Sequence, residues 1–356
     1  MKSLIHKGVV IPKYQHQGLS IKIRGTEVSL SPGQEEMAIA WCKKLGTDYV
    51  KDSAFVKNFF RDFSTAMRQN LPCEDVDFEQ VIDFVEKNKI ANLSKEERKK
   101  RANERAVQRE ENKRKFGYAI IDGVRMEIAN YSVEPSSIFM GRGRHPFRGC
   151  WKEGPKESDI ILNLSRDAPI PEGNWKEITW EPESMWIAKW KDKLVGKFKY
   201  LWISETSPLR QKREQEKYDE ALELGKYLPK LKQHIVEGMR SENVQRRKVA
   251  TVCALIDELK LRVGDEKDPD EADTVGATTL RPEHVKIIDN TTARFHFLAK
   301  DSIPFHKTVQ LPEPILSNIS AFKENSGSEI FSGITSTDVS DFLREICPFA
   351  TAKIFR

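Results

Sequence analysis

The chain has no cysteine pair at metal-ligand spacing. Its five cysteines, Cys42, Cys73, Cys150, Cys253 and Cys347, are odd in number and widely scattered. Neither a zinc ribbon nor a disulfide framework is indicated, and a reducing compartment suits them. No apolar run approaches the ~18 residues that a bilayer-spanning helix needs, and no signal peptide opens the chain. A soluble, intracellular protein with no membrane partner is expected. Asp270-Glu271-Ala272-Asp273 spells a helicase box, but no Gly-Lys is followed by Ser or Thr. Without a phosphate loop an ATP-driven motor is not expected. Gly141-Arg142-Gly143-Arg144-His145-Pro146 is too short and out of register for a dinucleotide loop. Internal repeats and low-complexity linkers are missing too.

Charge of one sign is scarce overall and concentrated locally. The net charge of 356 residues is only +5. Residues 86–115 alone hold 12 Lys/Arg and 6 Asp/Glu, so the rest of the chain is about neutral. A polyanion footprint outside this run must therefore come from the placement of cations. The run itself reads either as a solvated helix face or as a phosphate contact.

At this length two or three domains are expected. Residues 1–30 read as short strands, with Ser20 to Arg24 alternating before a turn at Gly25. A helix is predicted from Ser31, with Pro32 at its first position, Gln34 closing a capping box and Gly46 as its end. Met37, Trp41 and Leu45 would share its apolar face. Ser53 caps a second helix, striped by Phe55, Phe59, Phe63 and Met67. Ser94 and Glu97 open a third across the basic run; it lacks an apolar stripe and should project into solvent until Gly117. Residues 118–205 carry β signals, among them Tyr118 to Ile121 before Asp122-Gly123. Thr206-Ser207-Pro208 marks a boundary. Beyond it come helices over 211–238 and 242–263, a hairpin over 294–310 with Lys300-Asp301-Ser302 at its turn, and short helices near 312–324 and 337–347. The fold class is α+β: a mixed β/α domain over 1–206, then a mainly α-helical domain over 207–356 with a β-hairpin.

Three cations stand out against this frame: Arg262 in LRVGDEK, Lys300 in FLAKDS and Arg356 in TAKIFR. Singly, each is an ordinary surface charge, and Arg262, in the last turn of its predicted helix, would simply complement the helix dipole. Together, with no carboxylate base, they suit a phosphorane. Two guanidiniums can clamp non-bridging oxygens and an ammonium can protonate a leaving oxygen.

LRVGDEK, DEADTVGATTLRPEHV, FLAKDSI and TAKIFR follow one another in the order and approximate spacing of one family, while IFMGRGRHPFRG, VKNFFRDF and HKGVVIP match its DNA-binding half. Over essentially its whole length the chain resembles the type IB DNA topoisomerases of the eukaryotic kind. Its compact N-terminus resembles the archaeal, thaumarchaeal-like branch. The resemblance implies a multidomain DNA clamp, with a cap followed by a catalytic domain of the tyrosine recombinase/type IB topoisomerase type. It implies relaxation of supercoiled DNA through a transient 3′-phosphotyrosine, without ATP, metal or other cofactor, by a monomer acting on chromosomal DNA. That places it in the cytoplasm or nucleoid of an archaeon, or in the nucleus of a eukaryote.

It also assigns roles. Arg262 and Arg356 become clamps on the scissile phosphate, and Lys300 becomes the acid for the 5′-oxygen. Glu266 and Asp273 become partners that hold the local structure of the site, or else serve a purely structural role, and Asp301 anchors the hairpin and contacts DNA. Arg142, Arg144, His145, Lys152, Lys217 and Tyr218 match DNA-contact positions, while Met140 stands where most eukaryotic members have arginine. The family's histidine and nucleophilic tyrosine lie beyond the position of Arg356. The seven tyrosines here (Tyr14, Tyr49, Tyr118, Tyr131, Tyr200, Tyr218, Tyr227) all precede Lys300. The expectation is a fragment, or else a large subunit that awaits a tyrosine-bearing chain. A non-catalytic duplex clamp is the alternative; a tyrosine recombinase is disfavoured by the cap motifs.

Overall fold

The computed structural model describes residues 1–141, 145–264, 274–324 and 329–356, with Asp301 described by its backbone alone. The chain is mixed α/β and divides after Gln211 into two compact units: Met1–Gly141 with Pro146–Gln211, and Lys212–Arg356.

The first unit has two apolar cores. One is helical. Helix Pro32–Cys42 starts as predicted, with the Gln34 side chain accepting the Ser31 N–H at 2.9 Å. It ends short of Gly46, so Met37 and Trp41 are buried while Leu45 is left 37% exposed. Helix Ser53–Met67 is capped by Asp52 rather than Ser53: the Asp52 carboxylate accepts the Ala54 and Phe55 N–H groups at 3.0 and 3.4 Å. Aspartate is as good a cap as serine, and the charge also suits the helix N-terminus. Phe55, Phe59 and Phe63 are fully buried, and the Phe59 ring stacks on Trp41 at 4.7 Å. Burying each such ring stabilises the fold by about 1.5–3 kcal/mol. Helix Glu79–Asn88, at whose start the Asp77 carboxylate accepts the Glu79 N–H at 2.9 Å, adds Val81 and Val85 to this core.

Helix Lys95–Phe116 leaves by the predicted box: Ser94 Oγ accepts the Glu97 N–H at 3.2 Å, and Glu97 accepts the Ser94 N–H at 2.9 Å. None of its residues is buried. Gly117 caps its end, its N–H donating to the Lys113 carbonyl at 2.8 Å, and glycine is needed there because a Cβ would stand 2.6 Å from that oxygen.

The other core lies between sheets. Leu4–His6, Tyr118–Ile121 and Val124–Glu127 form an antiparallel sheet with Tyr118–Ile121 central. The last two strands are joined through Asp122 and Gly123 at φ +50° and +80°, the left-handed pair of a type I′ turn. A four-stranded sheet runs Glu177–Thr179, Ile160–Asn163, Trp186–Lys191, Phe198–Trp202, its first pair parallel. His6 is buried against it, Nε2 to the Asn163 carbonyl at 3.0 Å and Nδ1 accepting the Gly8 N–H at 3.1 Å. Burial lowers its pKa from 6.5 to about 4.

The second unit holds one core. Helix Pro208–Met239, whose first turn precedes the division, buries Leu224, Leu231, Ile235 and Met239, a single face. Helix Val244–Leu259 is buried along most of its length. A sheet of Val285–Ile287, Thr292–Leu298 and Pro304–Gln310 buries Ala293, Phe295 and Phe297 against them. Helices Glu313–Glu324, Ser336–Arg344 and Ala352–Phe355 close the core. Among the described residues, no helix is long and apolar enough to cross a membrane.

Candidate active site

Helix Val244–Leu259 stops at Lys260, which takes the left-handed conformation (φ +55°) with its N–H still bonded to the Ile256 carbonyl at 2.9 Å. The expectation that the helix runs to 263 is therefore corrected. Arg262 lies beyond the last turn and has no helix-terminal role. Leu261 is buried and fixes the chain there, and Arg262 is exposed.

The segment after Arg262 is held by residues twelve or more positions further along. Ala277 N–H donates to the Arg262 carbonyl and Thr278 N–H to the Val263 carbonyl, both at 2.8 Å. The Thr278 hydroxyl bonds the carbonyls of Val263 and Gly264 at 3.0 and 2.8 Å. This crossing requires glycine twice: Gly264 has φ +83°, and a Cβ on Gly276 would stand 2.5 Å from the Gly264 nitrogen. The same strip continues to the hairpin, where Val275 N–H donates to the Leu298 carbonyl at 2.7 Å. Two residues on, Lys300 opens the short 3-10 turn Lys300–Ser302, closed by Ala299 N–H to Ile303 O at 2.8 Å, with Ser302 at φ +59°.

Arg356 comes from the other end of the unit. Thr351 caps Ala352–Phe355, accepting the Ile354 N–H at 3.2 Å. Ala352 and Phe355 are buried in the core, leaving Lys353 and Arg356 exposed three residues apart on a helical turn.

These segments meet at one cavity of about 620 Å³, lined by Arg262, Val263, Gly264, Thr274, Val275, Gly276, Lys300, Ala352, Lys353 and Arg356. Three sequence-predicted cations are thus brought together from positions far apart in the chain. Lys353 is a fourth, missed earlier although its spacing from Arg356 in TAKIFR could have signalled it. The described lining contains no acidic side chain, no tyrosine and no histidine. Among the described residues, no carboxylate pairs with any of the four cations. An anion of phosphate size would find donors on several sides and no acidic side chain among the described lining residues. A larger cavity of about 750 Å³ in the first unit is lined by Glu36, Glu134, Glu153 and Glu157 against Lys13 and Lys156. Its charge is wrong for a polyanion.

The remaining expected contacts fare differently. Lys217 and Tyr218 sit on the exposed half of helix Pro208–Met239; Tyr218 is 71% exposed, and Lys217 pairs with Glu214. His145 is half-buried. Lys152 is only 6% exposed, with its ammonium 2.5 Å from Glu134 and 3.0 Å from Asp192. Lys199 joins the same two carboxylates at 2.8 and 3.4 Å. The charge of Lys152 is neutralised inside the protein, so in this structure it offers a phosphate nothing. Met140, where an arginine contact was expected to be missing, packs against the helical core. Arg142, Arg144, Glu266 and Asp273, and the side chain of Asp301, lie outside the described residues.

Residues 1–203 match the family described as eukaryotic DNA topoisomerase I, DNA binding fragment, and residues 206–356 match eukaryotic DNA topoisomerase I, catalytic core. The chain is 33% identical to DNA topoisomerase 1 beta of Arabidopsis thaliana, covering 100% of this chain and 40% of that protein. It is 33% identical to DNA topoisomerase 1 of Candidozyma auris, covering 100% and 49%. Against the mitochondrial DNA topoisomerase I of Pan troglodytes the identity is 32%, covering 100% and 62%. The chain thus spans between 40% and 62% of the length of these relatives.

Proposed function

Because the chain belongs to the eukaryotic DNA topoisomerase I family, we propose that it is the DNA-clamping and cation-bearing part of a type IB topoisomerase. The observation that carries this is the convergence of Arg262, Lys300 and Arg356 on one cavity whose described lining holds no acidic side chain. In the proposed reaction a tyrosine hydroxyl loses its proton to water as its oxygen attacks a backbone phosphorus, a 3′-phosphotyrosine bond forms, and the bond to the 5′-oxygen breaks. Arg262 and Arg356 hold the non-bridging oxygens as their charge grows. Lys300 gives its proton to the departing 5′-oxygen and takes it back when that hydroxyl attacks the phosphotyrosine. The phosphodiester energy is kept in the phosphotyrosine, so neither ATP nor another energy source enters. Rotation about the uncut strand relaxes supercoils of either sign, and one chain suffices as the clamp.

The nucleophile comes from outside these 356 residues in this reading. No tyrosine follows Tyr227, and Tyr227 itself packs edge-on against Phe349 at 6.0 Å. The absence of any tyrosine from the described cavity lining also supports a second reading, a clamp that binds duplex DNA without cutting it.

One pair of measurements separates the two. The chain alone should bind duplex DNA, with log affinity falling against log salt at about −0.9 per phosphate neutralised, and should leave plasmid supercoils intact. Supplied with a polypeptide carrying the family's tyrosine segment, it should relax them. Relaxation by the chain alone would refute the assignment of the nucleophile. Failure of every such segment to restore relaxation, with duplex binding intact, would favour the clamp.

A further inference from the structure

The sheet that carries Lys300 has one face in the core and one in solvent, and the solvent face is cationic. Lys286, Arg294 and Thr308 stand side by side across its three strands. One step toward the turn, His296 and His306 face each other across the hairpin, their ring centroids 5.2 Å apart at 53°. Lys286, Arg294, His296 and His306 are all exposed. The Arg294 guanidinium donates to the Thr308 hydroxyl at 3.3 Å. The other residues of this face are Thr292, Leu298, Pro304 and Gln310, so it bears no carboxylate.

The charged groups around the histidine pair are equally one-sided. Arg294 and Lys300 lie along its own hairpin, Lys286 on the neighbouring strand, and Lys307 beside His306 on the opposite face. Of the carboxylates bordering the sheet, Glu283 lies 4.0 Å from His284, and Asp289 accepts from the Thr291 N–H and hydroxyl at 2.8 and 2.9 Å. Asp301 stands in the turn itself.

We propose that this face is a duplex-DNA track continuous with Lys300, and that DNA binding along it is coupled to protonation of His296 and His306. The proposal rests on the duplex-binding reading above and names a surface of it. From Arg294 to Lys300 the strand covers roughly 20 Å at ~3.3 Å per residue, enough to pass several phosphates. A phosphate laid between the two rings favours their charged form, so the complex takes up protons and affinity must rise as pH falls.

The test is fluorescence anisotropy of the whole chain with a labelled duplex, titrated with salt at about pH 8 and about pH 6, either side of the ordinary histidine range. Wild type should show a steeper salt slope at the lower pH. In His296→Gln/His306→Gln that pH difference should shrink by about one phosphate equivalent or more, with binding at the higher pH retained. Lys286→Ala/Arg294→Ala should lose about 1.8 from the slope at both pH values. All four positions are exposed, and circular dichroism is the check that each variant is folded. A pH difference that survives loss of both histidines, or a slope unchanged in the lysine–arginine variant, overturns the track while leaving the general reading standing. A wild-type chain without salt-dependent duplex affinity overturns both.

Discussion

Gly264 and Gly276 touch backbone to backbone: a Cβ on Gly276 would stand 2.4 Å from the Gly264 Cα. The contact presses the strip that bears Arg262 against the strip that leads, through Val275 and Leu298, to Lys300. Gly276→Ala must therefore push Arg262 and Lys300 apart. Such an overlap costs about 1–3 kcal/mol. We expect a lower thermal midpoint and, in the tyrosine-complemented protein, a fall in relaxation rate beyond what the stability loss explains. An unchanged midpoint would show that the crossing is loose.

Arg262→Ala removes one donor from the cavity. In the complemented protein, relaxation should slow by about 10²–10³-fold, as for loss of one preorganised oxyanion donor. Duplex affinity should barely change, since one phosphate contact among many is lost. Relaxation at the wild-type rate would take Arg262 out of the reaction.

Lys300 can be tested for acid catalysis apart from charge. Lys300→Ala should slow cleavage by about 10²–10⁴-fold on ordinary DNA. A 5′-bridging phosphorothiolate leaves without needing a proton, so it should rescue Lys300→Ala and not Arg262→Ala. Equal defects on oxygen and sulfur substrates would assign Lys300 to holding DNA, and another group would have to be the acid.

Lys353, the fourth cation of the cavity, should contribute binding. Lys353→Ala should reduce the log–log salt slope of duplex affinity by about 0.9. A slope identical to wild type would mean that Lys353 faces solvent in the complex.

His6 gives the chain an acid limb. Its pKa is lowered on folding, from 6.5 to about 4, by burial. The unfolded chain therefore binds the proton first: the stability is present above pH 6.5 and is lost as pH falls toward 4. Between about pH 7 and pH 5 this group alone should cost about 2 kcal/mol. His6→Gln can still donate to the Asn163 carbonyl and has no proton to gain. Urea unfolding at the two pH values should show a difference smaller by about that amount; an equal difference in both proteins would place the acid sensitivity elsewhere.

Much of the fold was legible because its signals are local. The Ser94/Glu97 box, the Asp122-Gly123 turn, the phenylalanine stripe and the hairpin around Lys300 each depend on residues within a few positions of one another. The family could also be read directly, since its motifs are contiguous strings. The chemistry of Arg262, Lys300 and Arg356 as residue types was in the sequence too. Their common cavity was not. They lie 38 and 56 positions apart, and only bonds such as Ala277 to Arg262 and Val275 to Leu298 bring their segments together. The end of the helix before Arg262 was misread because a left-handed lysine, unlike a glycine, leaves no mark in the sequence. The burial of Lys152 was hidden for the same kind of reason. Nothing near it in the chain reveals that Glu134 and Asp192 close around its ammonium, since burial and pairing of a charge are properties of the packed structure.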